Sequence, residues 1–168
     1  MAAPDIHPCP ICSQDAPTKL GRLYWPRSKG NDVVQAAAYR GGRDLWNERT
    51  GEYYKWGFRT DVREARIVLP QSVADDPQYA WAQDPYLLWN TAEFSEPAVD
   101  SRIGREYRMI LPDEMTHGER SAVVFEFAQY IADRYHVPVD VALHDPRTGR
   151  AQHHHAHCGV TGEIVEDS

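Results

Sequence analysis

Two strand-like runs near the C-terminal end carry histidines, and they constrain the fold more than any other feature. Val139 to His144 is apolar and rich in β-branched residues, ends on a histidine, and is followed by a turn signal. In the second run, alternation places His155 and His157 on one face of an extended strand, about 7 Å apart. If the two strands pair antiparallel, His144 lies beside both. The sequence therefore predicts two adjacent strands with their histidines clustered.

Three neutral imidazoles bind a cation and leave coordination positions open, as a catalytic metal site requires. His144, His155 and His157 are therefore the candidate metal ligands. A solvated histidine tract that collects metal without a function is the alternative. The alternation His-Ala-His and the separate histidine on the other strand favour a built site. Imidazole ligands favour transition metals in affinity, so Zn²⁺ or Ni²⁺ can bind even where another cation is used.

The bulk properties indicate an ordinary globular protein. The chain has 168 residues, of which 42% are hydrophobic and 26% charged, and this length predicts one domain with a substantial core. Its apolar runs are far shorter than the roughly 18 residues of a membrane span, and the N-terminus lacks a signal-peptide pattern. Three cysteines make no disulfide framework. The expected location is the cytoplasm.

Charge is unevenly distributed along the chain. The formal net charge of −7 argues against broad, nonspecific nucleic-acid binding, which needs a large basic surface. Basic residues nevertheless concentrate between Lys19 and Arg49, including Arg27, Lys29 and Arg40. This local concentration permits a face that binds a DNA backbone, and scattered surface charge is the alternative.

The predicted elements alternate between strands and helices. Strands are expected at 20–25, 64–69, 106–111, 139–144 and from 155 onward, with helices at 33–39, 85–96 and from 116 onward. This order predicts an α/β fold, a two-layer sandwich whose mainly antiparallel central sheet carries the histidines and has helices packed against it. Residues 1–19 are expected to form an irregular leader, with Cys9 and Cys12 spaced as half a zinc knuckle, and residues 20–168 to form the domain.

Helix signals define the expected core. Thr116 followed by Glu119 is a capping box that begins the longest helix. The helical spacing then predicts a set of core-facing residues on two helices. They are Val124, Phe127, Ala128, Ile131 and Tyr135 on the long helix, and Leu88, Ala92 and Phe94 on the one before it.

An ordered set of short motifs runs through most of the chain. They are Arg27-Ser28-Lys29-Gly30, Ala36-Ala37-Ala38-Tyr39-Arg40, Leu88-Trp89-Asn90 with Glu93 and Glu96, Arg105-Glu106 before Leu111-Pro112, Ala142-Leu143-His144, and His154-His155-Ala156-His157 with Thr161. Together they resemble the N-terminal catalytic domain of plasmid mobilisation relaxases of the MobA/MobL type, within the HUH endonuclease superfamily. The resemblance covers about residues 27–161.

The resemblance implies a chemistry for these residues. Such relaxases nick one strand of plasmid DNA at the origin of transfer by tyrosine transesterification. A divalent cation held by three histidines assists the reaction, and Mn²⁺ or Mg²⁺ is the cation expected during catalysis. Tyr39 matches the nucleophile, with Tyr53 and Tyr54 as competitors, and Glu106 matches an acidic residue that can orient a histidine. Arg40, which follows Tyr39, is expected to contact a phosphate.

The implied partners follow from the same resemblance. They are single-stranded or supercoiled plasmid DNA at the transfer origin, with mobilisation accessory proteins as further partners and Arg27, Lys29 and Arg40 as the DNA contacts. Two other interpretations remain open. One is a catalytically weak relaxase remnant or an accessory DNA-binding protein that keeps the fold, and the other is a metal-binding protein without a DNA role.

Overall fold

A five-stranded antiparallel sheet forms the centre of the protein. The computed structural model describes residues 20–27, 30–96, 98, 102–147 and 153–162. The sheet strands are β1 (Leu20–Pro26), β4 (Val62–Val68), β5 (Arg102–Leu111), β6 (Val139–His144) and β7 (His154–Thr161). A separate hairpin consists of β2 (Asp44–Asn47) and β3 (Glu52–Lys55), and the helices are α1 (Val33–Gly41), α2 (Pro85–Ser95) and α3 (His117–Tyr135), with a 3₁₀ helix at Pro77–Gln83.

The strand order places both histidine-bearing strands inside the sheet. The order is β1-β5-β7-β6-β4, and β7 is therefore the central strand with β6 beside it, as the sequence predicts. Every described pairing in this sheet is antiparallel. Helix α3 covers one face of the sheet. Helices α1 and α2 cover the other face, which carries the histidines. The predicted α/β architecture with an antiparallel central sheet is confirmed.

The two faces of β6 and β7 differ in chemistry. One face is apolar and packs under α3, through residues such as Val141 and Cys158. The other face carries Asp140 and the three histidines, and the ends of α1 and α2 lie over it. Because side chains alternate along a strand, a single run of sequence supplies a dry core on one side and a polar site on the other.

Local capping contacts define the ends of α1 and α3. Asp32 caps α1 by accepting hydrogen bonds from two backbone N–H groups, and Gly42 ends it in the left-handed conformation at φ 59°. A side chain at Gly42 would be strained there and would also meet Val62. The capping box of Thr116 and Glu119 is present at the start of α3, as predicted.

Some sequence predictions were wrong or incomplete. Phe94 is 62% exposed rather than inward, because at 3.6 residues per turn it lies on the far side of α2 from Leu88 and Ala92. Tyr135 is 47% exposed at the last residue of α3, where its ring meets the guanidinium of Arg105. Strand β2 and the 3₁₀ helix were missed. The predicted leader, with Cys9 and Cys12, lies outside the described residues.

Adjacent valines on α3 test the assignment of its buried face. Val124 is fully buried and Val123 is 46% exposed. Val124→Ala should lower the free energy of unfolding by about 2 kcal/mol, because it removes buried methyl groups and leaves a cavity. Val123→Ala should change it by less than about 0.5 kcal/mol. Urea unfolding followed by circular dichroism measures both, and equal losses would contradict the assigned face.

Candidate functional site

Three buried histidines converge at the junction of β6 and β7. His144 lies directly opposite His155 in the register of the two strands, and His157 follows two residues later on the same face. Each is at most 5% exposed. One ring nitrogen from each residue can serve as a ligand, and these atoms lie within 4.8 Å of one another. The predicted clustering of the three histidines is therefore found.

Hydrogen bonds fix the orientation of the first two rings. Nε2 of His144 donates to the backbone carbonyl of Arg40 at 2.6 Å, and Nδ1 of His155 donates to the carbonyl of His153 at 3.0 Å. A carbonyl oxygen only accepts, so these nitrogens carry the protons. Nδ1 of His144 and Nε2 of His155 are then the lone-pair atoms, and they face each other at 3.2 Å.

Glu106 orients the third ring from the neighbouring strand β5. Nδ1 of His157 donates to Oε1 of Glu106 at 2.9 Å, which turns Nε2 of the ring toward the other two histidines. Arg108 contacts the second carboxylate oxygen at 2.8 Å, and Arg40 lies 3.5 Å from the first. Burial alone would raise the pKa of Glu106, but His157 and the two arginines together lower it. The carboxylate stays ionised and acts as a hydrogen-bond acceptor.

His144 and His155 are suited to bind a cation rather than a proton. Burial lowers the pKa of His144 well below its ordinary value of 6.5, and repulsion from His157 and His155 lowers it further. Burial, followed by repulsion from His157, lowers the pKa of His155 to about 3. Both imidazoles are therefore neutral near pH 7, which is the form that binds a metal.

Tyr39 lies at the carboxyl end of α1, beside the residue whose carbonyl holds His144. Its ring is half-buried and packs edge-on against Trp56 with the centroids 4.9 Å apart. The guanidinium of Arg59 lies 4.2 Å from the ring centroid and also donates to the Tyr39 carbonyl at 2.7 Å. Trp56 and Arg59 thus hold the ring of Tyr39 at the end of α1, the helix end that contacts His144 through the Arg40 carbonyl.

The competing tyrosines have different surroundings. The hydroxyl of Tyr54 lies 2.6 Å from a carboxylate oxygen of Asp32 and 2.7 Å from one of Glu52. Burial and these two acceptors raise its pKa, which makes its oxygen a poor nucleophile. Tyr53 is half-exposed on β3 and pairs with Trp46 across the hairpin.

The family model for MobA/MobL matches residues 31–167, more than half of the chain. The chain belongs to the MobA/MobL family. It is 36% identical over 123 residues to "Mobilization protein MobL" of Acidithiobacillus ferridurans, a match that covers 73% of this chain and 30% of that protein. It is 25% identical over 140 residues to "Probable mobilization protein MobA" of Bifidobacterium longum (strain NCC 2705), covering 83% of this chain and 24% of that protein.

A solved structure has the same fold as this MobA/MobL domain. It is described as the "Molecular Basis of Vancomycin Resistance Transfer in Staphylococcus aureus", and it aligns with a TM-score of 0.77 at 19% identity. The alignment covers 90% of this chain and 73% of the solved one. The chain spans less than a third of the length of the two mobilisation proteins above. Among the described helices, none combines the length and the apolar character needed to cross a membrane.

The structure places two of the three predicted DNA contacts, Arg27 and Arg40, in ion pairs within the domain. Arg40 is only 2% exposed and binds Asp140 at 3.1 Å, so its guanidinium faces the sheet and does not reach a ligand at the surface. Arg27 is largely covered and donates to the carboxylate and carbonyl of Glu93 at the end of α2. Lys29 lies outside the described residues.

A further exposed arginine, Arg63, lies at the start of β4. It lines a small cavity between the end of the sheet and α3, together with Arg120 and His154, and more than half of its side chain is exposed. It stands where the pairing of β4 with β6 shifts register, between Val62 and Glu64. No sequence motif surrounds Arg63, and a strand bulge has no clear signal in one sequence.

The depressed pKa values predict a loss of stability in acid for the metal-free protein. As the pH falls below 6.5, the unfolded chain takes up protons on His144 and His155 before the folded one does. The free energy of unfolding should therefore fall from pH 6.5 downward, by up to about 1.4 kcal/mol per pH unit for each histidine. Urea unfolding of chelator-treated protein between pH 7.5 and 5.5 measures this slope.

A matched variant separates this effect from general acid sensitivity. His155→Ala should flatten the slope, because it removes one of the histidines whose pKa the fold lowers. Carboxylates with a lowered pKa, such as Glu106, contribute only at lower pH, below their ordinary value of 4.5. A free energy of unfolding that stays level down to pH 5.5 in the unmutated protein would show that the two histidines are not held neutral by the fold.

Proposed function

We propose that this MobA/MobL domain is a DNA relaxase that nicks one strand of plasmid DNA at the origin of transfer. The proposal rests on one arrangement, the oriented cluster of His144, His155 and His157 beside the helix end that carries Tyr39. Membership of a family with mobilisation proteins among its relatives supports DNA as the substrate. The mechanism is a metal-dependent transesterification for conjugative mobilisation.

The donor set fits a divalent cation. In all three residues one ring nitrogen is engaged by an oxygen acceptor, which leaves the other nitrogen as a lone-pair ligand. When bound by His144, His155 and His157, the cation supplies polarisation of the scissile phosphate and stabilises the charge that develops on it. Mn²⁺ or Mg²⁺ serves this purpose during the reaction, while Zn²⁺ or Ni²⁺ binds such nitrogen ligands more tightly.

The protein's own nucleophile is Tyr39. Its phenol oxygen attacks the phosphorus, the bond from phosphorus to the 3′ oxygen breaks, and the tyrosine is left joined to the 5′ phosphate. The phenol proton departs, and the leaving 3′ oxygen gains a proton to become a hydroxyl. One phosphodiester replaces another, so the reaction can run backward and rejoin the strand. Trp56 and Arg59 hold the ring in place for this attack.

Glu106 and Arg63 have separate tasks in this proposal. Glu106 keeps the ring of His157 in the tautomer that offers Nε2, and it takes no direct part in the exchange. Arg63, more than half exposed and next to the β4 residue that pairs with His144, contacts a phosphate of the DNA strand. Its replacement by alanine should weaken DNA binding with little effect on stability, because the side chain is largely in solvent.

The metal site is tested by calorimetric titration with Mn²⁺. The unmutated protein should bind one cation, and the double variant His155→Ala, His157→Ala should lose this binding because two of three ligands are removed. The variant His153→Ala, His154→Ala is the matched control, since His153 contributes its carbonyl rather than its ring. Loss of binding in the control with retention in the first variant would move the site to the neighbouring pair.

The nucleophile is tested with a single-stranded oligonucleotide that spans the transfer origin. In the presence of Mn²⁺ or Mg²⁺, the protein should form a covalent adduct visible as a band of higher mass on a denaturing gel. Tyr39→Phe should abolish this adduct, because only the attacking oxygen is removed. Metal affinity by calorimetry and DNA affinity by fluorescence anisotropy should stay nearly unchanged. Tyr54→Phe serves as the control and should keep the adduct.

The outcomes also distinguish the alternative functions. An adduct that persists in Tyr39→Phe would assign the nucleophile to another tyrosine. DNA binding without any adduct from the unmutated protein on its true origin would favour a degenerate relaxase or a DNA-binding accessory protein. Metal binding without DNA binding would favour a metal-binding protein that has no DNA role.

A further inference from the structure

A row of three residues crosses the sheet next to the histidine cluster. Asp140 on β6, Gly159 on β7 and Glu106 on β5 are direct partners in the strand registers. Asp140 and Glu106 therefore flank Gly159 on the face that carries the histidines. Both carboxylates are at most 2% exposed. Buried carboxylates of this kind need positive or hydrogen-bonding partners.

Arg40 supplies such a partner from the end of α1. Its Nη2 donates to Asp140 at 3.1 Å, and its Nη1 lies 3.5 Å from Glu106. The guanidinium rests directly over Gly159, where a Cβ atom would come within 2.4 Å of Nη2. No residue with a side chain fits under the guanidinium without moving it. The arginine thus bridges three strands across a glycine.

The same residue is linked to two of the three histidines, to one directly and to the other through Glu106. Its backbone carbonyl accepts the hydrogen bond that orients His144. Its side chain contacts Glu106, which in turn orients His157. Tyr39 is the preceding residue, so any displacement of Arg40 from the sheet would also displace the proposed nucleophile.

We infer that Arg40 is a positioning residue that sets the geometry of the histidine centre. Gly159 leaves the space in which the guanidinium of Arg40 lies. The inference builds on the proposed metal site and concerns how that site is shaped. It replaces the phosphate contact that the sequence suggested for Arg40. Without the guanidinium, the carboxylate of Glu106 gains freedom to turn, and the ring of His157 follows it.

The neighbouring contacts make a variant of Arg40 feasible. Asp140 keeps two hydrogen bonds from Arg43 at 2.9 Å each and one from Nε1 of Trp89 at 2.8 Å. Glu106 keeps its contact with Arg108. Arg40→Met therefore leaves neither carboxylate without a positive partner, and we expect the protein to fold.

Arg43 offers a matched control. It is also an arginine near the end of α1, and its guanidinium binds Asp140. None of the recorded ion pairs of Arg43 involves Glu106. Arg43→Met should destabilise the fold but leave the histidine centre unchanged, whereas Arg40→Met should alter that centre. The pair separates a positioning role from a general structural one.

Two measurements report on the geometry of the histidine centre. Calorimetric titration with Mn²⁺ should show affinity reduced by about 10-fold to 100-fold in Arg40→Met and nearly unchanged in Arg43→Met. Long-range ¹H–¹⁵N spectra of the imidazoles in metal-free protein should show the His157 ring signals shifted in Arg40→Met. The His144 signals should move less, because the carbonyl that holds this ring remains. Gly159→Ala should reproduce the pattern with Arg40 still present.

A double-mutant cycle completes the test. In a Glu106→Gln background, Arg40→Met should cause little further loss of Mn²⁺ affinity, because the arginine acts through the carboxylate. Equal effects of Arg40→Met and Arg43→Met, or unshifted His157 signals, would overturn the inference. If the unmutated protein binds no Mn²⁺, the proposed function fails, but the spectra of the metal-free variants still decide whether Arg40 orients His157.

Discussion

The pairing of β6 with β7 is the constraint on which the site depends. Their register pairs His144 with His155 and Asp140 with Gly159. Because side chains alternate along a strand, a slip of β7 by one residue would send His155 and His157 to the apolar side under α3. The apolar residues of both strands, buried against α3, prevent that slip. The dry face of the sheet therefore fixes the geometry of the polar one.

The polar face carries buried charge because its charges are matched within it. Burial works against ionisation of Asp140, yet Arg43, Arg40 and the indole of Trp89 hold the pKa of its carboxyl at about 2. This network links α1 and α2 to the middle of the sheet. Ion pairs of this kind contribute more to a defined arrangement than to net stability, because desolvation offsets much of their attraction. In this domain the defined arrangement is that of the histidines.

Local signals in the sequence were sufficient to predict most of the elements and the histidine cluster. Alternation in the last strand and the capping box at Thr116 each act over a few residues, and the structure follows them. Arg40 was misread because its partners are distant in the chain, with Asp140 a hundred residues away. The usable signal was Asp140 itself, since a carboxylate within an apolar strand needs a buried partner. Which arginine supplies it depends on topology, and a single sequence does not reveal that.

Gly42 adopts the left-handed backbone conformation and ends α1 just after the residues that approach the histidines. The carboxyl end of a helix carries a partial negative charge, equivalent to about half an elementary charge. That field favours positive charge at the cluster and disfavours negative charge. The guanidinium of Arg59, which donates to the carbonyl of Tyr39 at this end, partly offsets it. The position at which one helix stops thus gives the histidine cluster an electrical polarity.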